Sequence, residues 1–272
     1  MSPAPAPAAE PEPTRMPDAP SPIRKVMLPI GHFLFRFRNL LFPLLFLPLA
    51  AILEPAFMEG DNWIDDSLDA LGVIVLALGL ALRSLVVGLA YIKRGGKDKK
   101  VYADALVTDG IFAHSRNPLY LGNILILCGL AMIHSSPWFY LVGLPFLVFA
   151  YLCIVVAEET FLSRKFGESY ADYVRRTNRF FPSTAGLADT IRGMRFDWKR
   201  VIRKEYGTLF GAFTGIVGLL EWEDVRRYGF KAESADIRNA FLLWIPVLLL
   251  YVTARILKKK KLLEDSEAAG PA

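Results

Sequence analysis

Residues 68–92 read Leu-Asp-Ala-Leu-Gly-Val-Ile-Val-Leu-Ala-Leu-Gly-Leu-Ala-Leu-Arg-Ser-Leu-Val-Val-Gly-Leu-Ala-Tyr-Ile and carry only Asp69 and Arg83 as charges. A helix of ~20 mostly apolar residues is what crossing the hydrocarbon layer of a bilayer requires. This run meets that length, and so do residues 40–57, 138–157 and 239–257 on either side of it. Residues 119–134 are shorter, about 24 Å of helix at ~1.5 Å per residue. That suffices near the normal of a thin membrane. In residues 206–220 the apolar character is diluted by Thr208, Thr214 and four glycines. The reading is an all-α, polytopic transmembrane bundle of five to six spans, with six preferred.

Composition agrees. Hydrophobic residues make up 53% of the chain beside 22% charged ones, and the mean hydropathy is still +0.33. Those figures are compatible only if the apolar residues are gathered into blocks. The net charge of +5 invites a nucleic-acid partner, but the positions of the basic residues exclude it. Arg36 and Arg38 precede the first block, and Lys93, Arg94, Lys97, Lys99 and Lys100 follow the second. Arg175, Arg176 and Arg179 follow the fourth, and Lys258–Lys261 the last. This is juxtamembrane charge facing an anionic leaflet.

Short loops rich in Lys and Arg stay cytoplasmic. The loop 59–69 holds Glu59, Asp61, Asp65, Asp66 and Asp69 and no base, so it belongs outside. Six spans put every basic cluster on the inner side and leave both termini cytoplasmic, as in a bacterial inner membrane. Five would strand the tetra-lysine or make one span re-entrant.

The chain divides accordingly. Residues 1–25 are a Pro/Ala-rich leader without the features of a secretory signal, expected to be disordered. Residues 26–182 form the membrane core, 183–205 a basic cytoplasmic connector, 206–257 a C-terminal helical hairpin, and 258–272 a basic-then-acidic tail. Cys128 and Cys153 lie in apolar blocks and read as small core residues, with no disulfide or metal pair.

Chemistry concentrates in two places. Asn117 and Pro118 form an N-cap and first helical residue, so a helix should start there with its positive dipole end toward the cytoplasm. Arg116 just before it makes a setting for a carboxylate. The plainer reading is a helix cap beside an anchoring arginine. Glu158 and Glu159 end the 138–157 block. Two adjacent carboxylates at a membrane boundary need a cation, from Arg164, Lys165 or Arg116, or from a cofactor. If the third block starts and the fourth ends at the cytoplasmic face, the two places meet. Phe161, Leu162, Phe166, Tyr170 and Tyr173 recur at helical spacing among basic residues, broken at Gly167, as in an interfacial amphipathic stretch. Arg83 is an ionisable residue inside a span, a functional candidate by default that snorkelling or pairing explains equally. Glu54 reads as interfacial.

The ordered set "DGIFAHSRNPLYLG" (109–122), an apolar helix pair, and "EETFLSRKFGESYADYVRRTNRFFP" (158–182) resembles the isoprenylcysteine carboxyl methyltransferase and phospholipid methyltransferase superfamily. These are membrane enzymes that use S-adenosylmethionine. The family's Arg-His-Pro-x-Tyr motif has Asn117 in place of its histidine here, so a role needing that imidazole is discounted. His114 stands nearby as a substitute, or as a lone surface histidine. The resemblance implies that Arg116, Asn117, Pro118 and Tyr120, with His114, hold the methionine end of the cofactor. Glu158, Glu159 and Tyr170 complete its pocket, and Arg176 and Tyr173 stand at the reacting groups. It further implies no metal, and a lipid-like or small apolar acceptor entering from the bilayer: a phospholipid amine, a prenylated carboxylate or a thiol. The partners expected are the membrane lipids and that acceptor, with no obligate protein partner. The rival readings are an NADPH-dependent sterol or enone reductase of similar architecture, and a non-enzymatic membrane scaffold.

Overall fold

Long apolar runs punctuated by glycine and proline make helices of most of the chain. A computed structural model describes residues 22–56, 62–89, 94–97, 100–230 and 234–263. Most of the expected leader, the first part of the acidic loop, Lys93, Lys99 and the acidic end of the tail lie outside the described residues. In order, the elements are α1 (Pro22–Ile52), α2 (Asn62–Leu89), β1 (Arg94–Lys97), β2 (Lys100–Ala103), a 3-10 turn (Gly110–Ala113) and α3 (Pro118–Ile133). A π-helical turn (Phe139–Gly143) then leads into α4 (Leu144–Phe166), α5 (Glu168–Arg176), α6 (Leu187–Arg192), α7 (Trp198–Tyr228) and α8 (Ser234–Lys259). The two short strands form an antiparallel hairpin, Arg94 opposite Ala103, on an otherwise helical bundle.

Trp63–Leu89, Phe139–Phe166 and Asp236–Lys259 are each long and apolar enough to cross a membrane. A fourth span results if Pro22–Arg38 and Phe42–Ile52, set 98° apart, count as one. The first helix thus begins well before residue 40. Pro43 withholds the N–H that would bond the carbonyl of Asn39, which accounts for a break at that point. The other two expected spans fall short of the same measure for different reasons. Apolar α3 has only 16 residues. The helix α7 starts at Trp198, has 31 residues, and carries charges at both ends, over 199–205 and 221–227. Both nevertheless lie alongside the longer helices.

Helices α2 and α3 pack closely along their length. A Cβ built on Gly79 would lie 2.7 Å from the Gly122 carbonyl oxygen, and one on Gly129 would lie 2.5 Å from that of Gly72. Small residues on both helices therefore bring the two backbones together, as in membrane helix pairs. Helix α1 lies on α4, with Phe42 stacked on Tyr151 at 3.9 Å and Phe46 edge-on to Phe139 at 5.4 Å. Leu147, Cys153, Ile154 and Val155 of α4 have no exposed surface. Cys153 is buried and Cys128 half-buried, both as free thiols.

The bundle has two distinct ends. At one, the Asp197 N–H donates to the Gly88 carbonyl (2.9 Å), joining the close of α2 to the opening of α7. At the other, a ring nitrogen of His134 bonds the Leu53 carbonyl (2.7 Å). There too Arg227 of α7 pairs with Asp65 of α2, and Arg226 with Glu54. Helix α8 returns along α7: Trp244 donates to Thr214 (2.9 Å), and the Lys258 ammonium lies 5.0 Å over the Tyr206 ring. Lys258 therefore comes back to the end where α7 begins. That is the end at which α3 starts, while the acidic start of α2 lies opposite. Leu242, Leu243, Leu249 and Leu250 of α8 are exposed, the face a helix turns to acyl chains.

Candidate functional site

The site is built where α3 begins beside α4. Asn117 and Pro118 open α3 as expected, but the Asn117 side chain makes no capping hydrogen bond. This corrects the capping role: its Nδ2 donates instead to Glu159 Oε1 (2.9 Å) and to the Arg179 carbonyl (3.2 Å). The physical reason lies in the segment 178–183, which runs past the start of α3 and offers better acceptors. The Arg116 N–H donates to the Asn178 carbonyl (2.9 Å), the Asn117 N–H to the Arg179 carbonyl (3.1 Å), and the Ser183 N–H to the His114 carbonyl (3.0 Å). Ser115 Oγ donates to the Phe180 carbonyl (2.7 Å). Two irregular backbone stretches thereby satisfy each other, as buried backbone must.

The paired carboxylates sit inside α4, which continues past them to Phe166. They have separate surroundings. Glu159 accepts from Asn117 and from Arg179 through Nε (3.2 Å) and Nη2 (2.8 Å), and Arg116 approaches it at 3.6 Å. Glu158, buried, accepts from the Tyr120 hydroxyl (2.8 Å) and has Arg38 of α1 at 3.7 Å. Of the three cations expected opposite this pair, only Arg116 is there. Lys165 donates instead to the Ala103 carbonyl. The sequence reading missed Arg38 and Arg179 as partners. Arg179 carried a signal in its place just before Phe180-Phe181-Pro182; Arg38 carried none beyond its charge. The compensation is thus internal to the protein: three guanidiniums against two carboxylates, at 3.7 Å or less.

The remaining expected residues lie apart from this cluster. His114 is only 6% exposed, which corrects its surface placement. Its ring nitrogens are engaged by the Ser183 carbonyl and Thr190 Oγ1, each at 2.9 Å. Tyr173 and Tyr170 are buried in a small core with Ala103 and Leu162. The Tyr173 hydroxyl donates to the Phe112 carbonyl (2.7 Å), which fastens α5 over the 3-10 turn. Gly167 between α4 and α5 has φ +52, a setting glycine takes without strain. Arg176 is exposed, its Nε donating to the Asp172 carbonyl (3.3 Å). It lines an open cleft of about 420 Å³ with Leu106, Thr108, Phe166, Ser169 and Asp172. The structure therefore gathers Arg116, Asn117, Pro118, Tyr120, Glu158 and Glu159, and sets Tyr170, Tyr173, Arg176 and His114 in the adjoining layer.

Arg83 is paired. Its Nε and Nη2 donate to the two oxygens of Glu205 of α7 (2.9 and 2.8 Å), and Nη1 donates to Asn123 of α3 and, at 3.4 Å, to the Leu119 carbonyl. Helix α7 is thus tied to the first turns of α3, next to Tyr120.

Comparison with known proteins follows the same segment. Residues 70–169 match the family model described as phospholipid methyltransferase. The nickel-cobalt-cadmium resistance protein NccN of Alcaligenes xylosoxydans xylosoxydans is 31% identical over 135 residues, which cover 49% of this chain and 59% of that protein. The cobalt-zinc-cadmium resistance protein CzcN of Cupriavidus metallidurans is 33% identical over 135 residues, 49% of this chain and 58% of that protein. The chain spans under three-fifths of the length of these curated relatives. No solved structure matches it. The segment that carries the start of α3 and the Glu158-Glu159 pair is the one that the phospholipid methyltransferase family model matches, consistent with the wider superfamily that its motifs resemble.

Proposed function

We propose that the protein transfers a methyl group from S-adenosylmethionine to a lipid-like or small apolar acceptor that enters from the bilayer, with the cofactor held at the cytoplasmic end of the bundle. The observation that carries this reading is the meeting of Arg116, Asn117 and Tyr120 with Glu158 and Glu159 at the junction of α3 and α4, inside the segment that matches the family.

The donor set suits the cofactor. A guanidinium at a helix start complements its carboxylate, and two carboxylates complement its ammonium group and ribose hydroxyls. Bound there, S-adenosylmethionine supplies a methyl group already activated on a sulfonium. The protein's own part is then alignment and exclusion of water. The Asn117 and Arg179 contacts fix Glu159, and the Tyr120 hydroxyl fixes Glu158, so both carboxylates are held before any ligand arrives. Such pre-orientation is what a reaction without a protein nucleophile needs. The names of the two relatives attach them to metal resistance and name no reaction, so the acceptor class is inferred from the membrane setting of the site.

The test uses membranes containing the full chain, incubated with methyl-labelled S-adenosylmethionine. Label should appear in the lipid extract or in an added thiol, and should be lost with Glu158→Gln. Label confined to the cofactor over the range of lipid, prenyl-carboxylate and thiol acceptors would refute the reading.

A further inference from the structure

One polar group of the bundle interior is unused by the site just described. Tyr151 lies on α4 seven residues before Glu158, so both side chains leave the same face, about 10 Å apart along the axis. Its ring is stacked on Phe42 of α1 (3.9 Å) and meets the Tyr120 ring edge-on (6.0 Å). Its hydroxyl makes no hydrogen bond among the described residues. Hydroxyls so placed ordinarily find an acceptor.

The charges around that hydroxyl are positive. The guanidiniums of Arg83 and Arg38 both act on it through space. Arg83 is committed to both oxygens of Glu205. Arg38 is ion-paired but, among the described residues, not hydrogen-bonded. It lies 4.4 Å over the Phe35 ring, and its one ion pair, to Glu158 at 3.7 Å, is beyond hydrogen-bonding distance. Among the described residues it makes no hydrogen bond, and its side chain keeps 37% of its surface exposed. A guanidinium and a phenol on facing helices therefore have donors that make no hydrogen bond among the described residues, beside Glu158 and between aromatic walls.

We infer that Arg38 and Tyr151 form the subsite that reads an anionic oxygen group, carboxylate or phosphate, on the acceptor. The inference rests on the proposed methyl transfer for the word acceptor; the subsite itself stands on these two donors. Phe42 and the rings of Tyr151 and Tyr120 are suited to the apolar part of such a molecule. An amphiphile with a neutral head would leave the Arg38 guanidinium without its acceptor, so the charge is the discriminating feature.

The full chain in nanodiscs of zwitterionic lipid is titrated with laurate, with dodecyl phosphate and with methyl laurate, and S-adenosylhomocysteine binding is measured on the same samples. At least one of the two anions should bind saturably while methyl laurate does not. Which anion binds more tightly names the head group as carboxylate or phosphate. Arg38→Gln and Tyr151→Phe should each weaken the bound anion about tenfold or more, as loss of a charge-assisted hydrogen bond implies. Tyr151→Phe should leave the S-adenosylhomocysteine affinity at the parent value, and Arg38→Gln, whose guanidinium also faces Glu158, should still bind it saturably, which shows that both variants are folded. Anion affinities unchanged in both variants, equal binding of the neutral ester, or no saturable binding of either anion would overturn the subsite. Absence of S-adenosylhomocysteine binding with the anion result intact would strike the methyltransferase reading and leave the subsite standing.

Discussion

The Arg83–Glu205 pair allows the most quantitative test of how α7 is held to the rest of the bundle. Both side chains are largely buried, 13% and 4% exposed, and meet through two hydrogen bonds of 2.8 and 2.9 Å. Glu205→Gln keeps the size of the side chain and removes its charge. The guanidinium is then left with Asn123, the Leu119 carbonyl and Thr208 Oγ1, none of them charged. Leaving one charge of a buried pair uncompensated costs about 3–5 kcal/mol. Replacing both partners by apolar residues of similar length removes the attraction and the desolvation penalty together. The double variant Arg83→Met/Glu205→Met should therefore lie within ~1–2 kcal/mol of the parent. Reversible unfolding in mixed detergent–SDS micelles measures the four members of the cycle (parent, Arg83→Met, Glu205→Met and the double variant) with Glu205→Gln beside them. If Glu205→Gln unfolds within ~1 kcal/mol of the parent, or the double variant shows the summed losses of the single ones, α7 is not held by this pair.

Three further outcomes follow from single contacts. Asn117→Asp turns a donor to Glu159 and to the Arg179 carbonyl into a second negative charge facing both. It should destabilise the 178–183 segment by about 1–3 kcal/mol and expose it to protease; a capping residue would instead tolerate Asp. The Glu223 carboxyl, near the end of α7, is pushed from 4.5 up to about 7, first by burial and then by Asp69 and Asp65, with Asp224 adding and Arg227 opposing. A carboxyl whose folded pKa is raised stabilises the folded state at low pH. Stability should therefore fall by about 3 kcal/mol as pH rises from 4.5 to 7, and level off above. Glu223→Gln should flatten that slope in unfolding titrations, and an unchanged slope would count against it. For topology, a reporter after Lys261 should read cytoplasm and one within residues 59–69 the outer side; the same side for both would undo the orientation.

The two ends of the bundle were legible because charge and apolar length are recorded residue by residue. The acidic loop and the basic clusters mark opposite ends, and the polar residues before α3 could be expected to meet Glu158 and Glu159. Partner choice was not legible. Glu159 takes Arg179 from twenty residues on, and Arg83 takes Glu205 from across the bundle, because helix packing, which no local spacing encodes, brings them together. Asn117 shows the same limit on a smaller scale. It has the right residue type for a cap and stands at the cap position, yet a neighbouring backbone stretch offers its amide better acceptors. Length misled in the other direction for α7, whose apolar middle is flanked by buried glutamates that only the fold can neutralise.

Titration of S-adenosylhomocysteine into the detergent-purified full chain, with NADPH as the competing ligand, tests the central claim most directly. The site as built predicts saturable binding of S-adenosylhomocysteine that NADPH does not displace. Arg116→Ala, Glu158→Gln and Glu159→Gln should each weaken it about ten- to hundred-fold. A folded protein that binds NADPH and not S-adenosylhomocysteine, or one whose S-adenosylhomocysteine affinity is indifferent to all three substitutions, would contradict it.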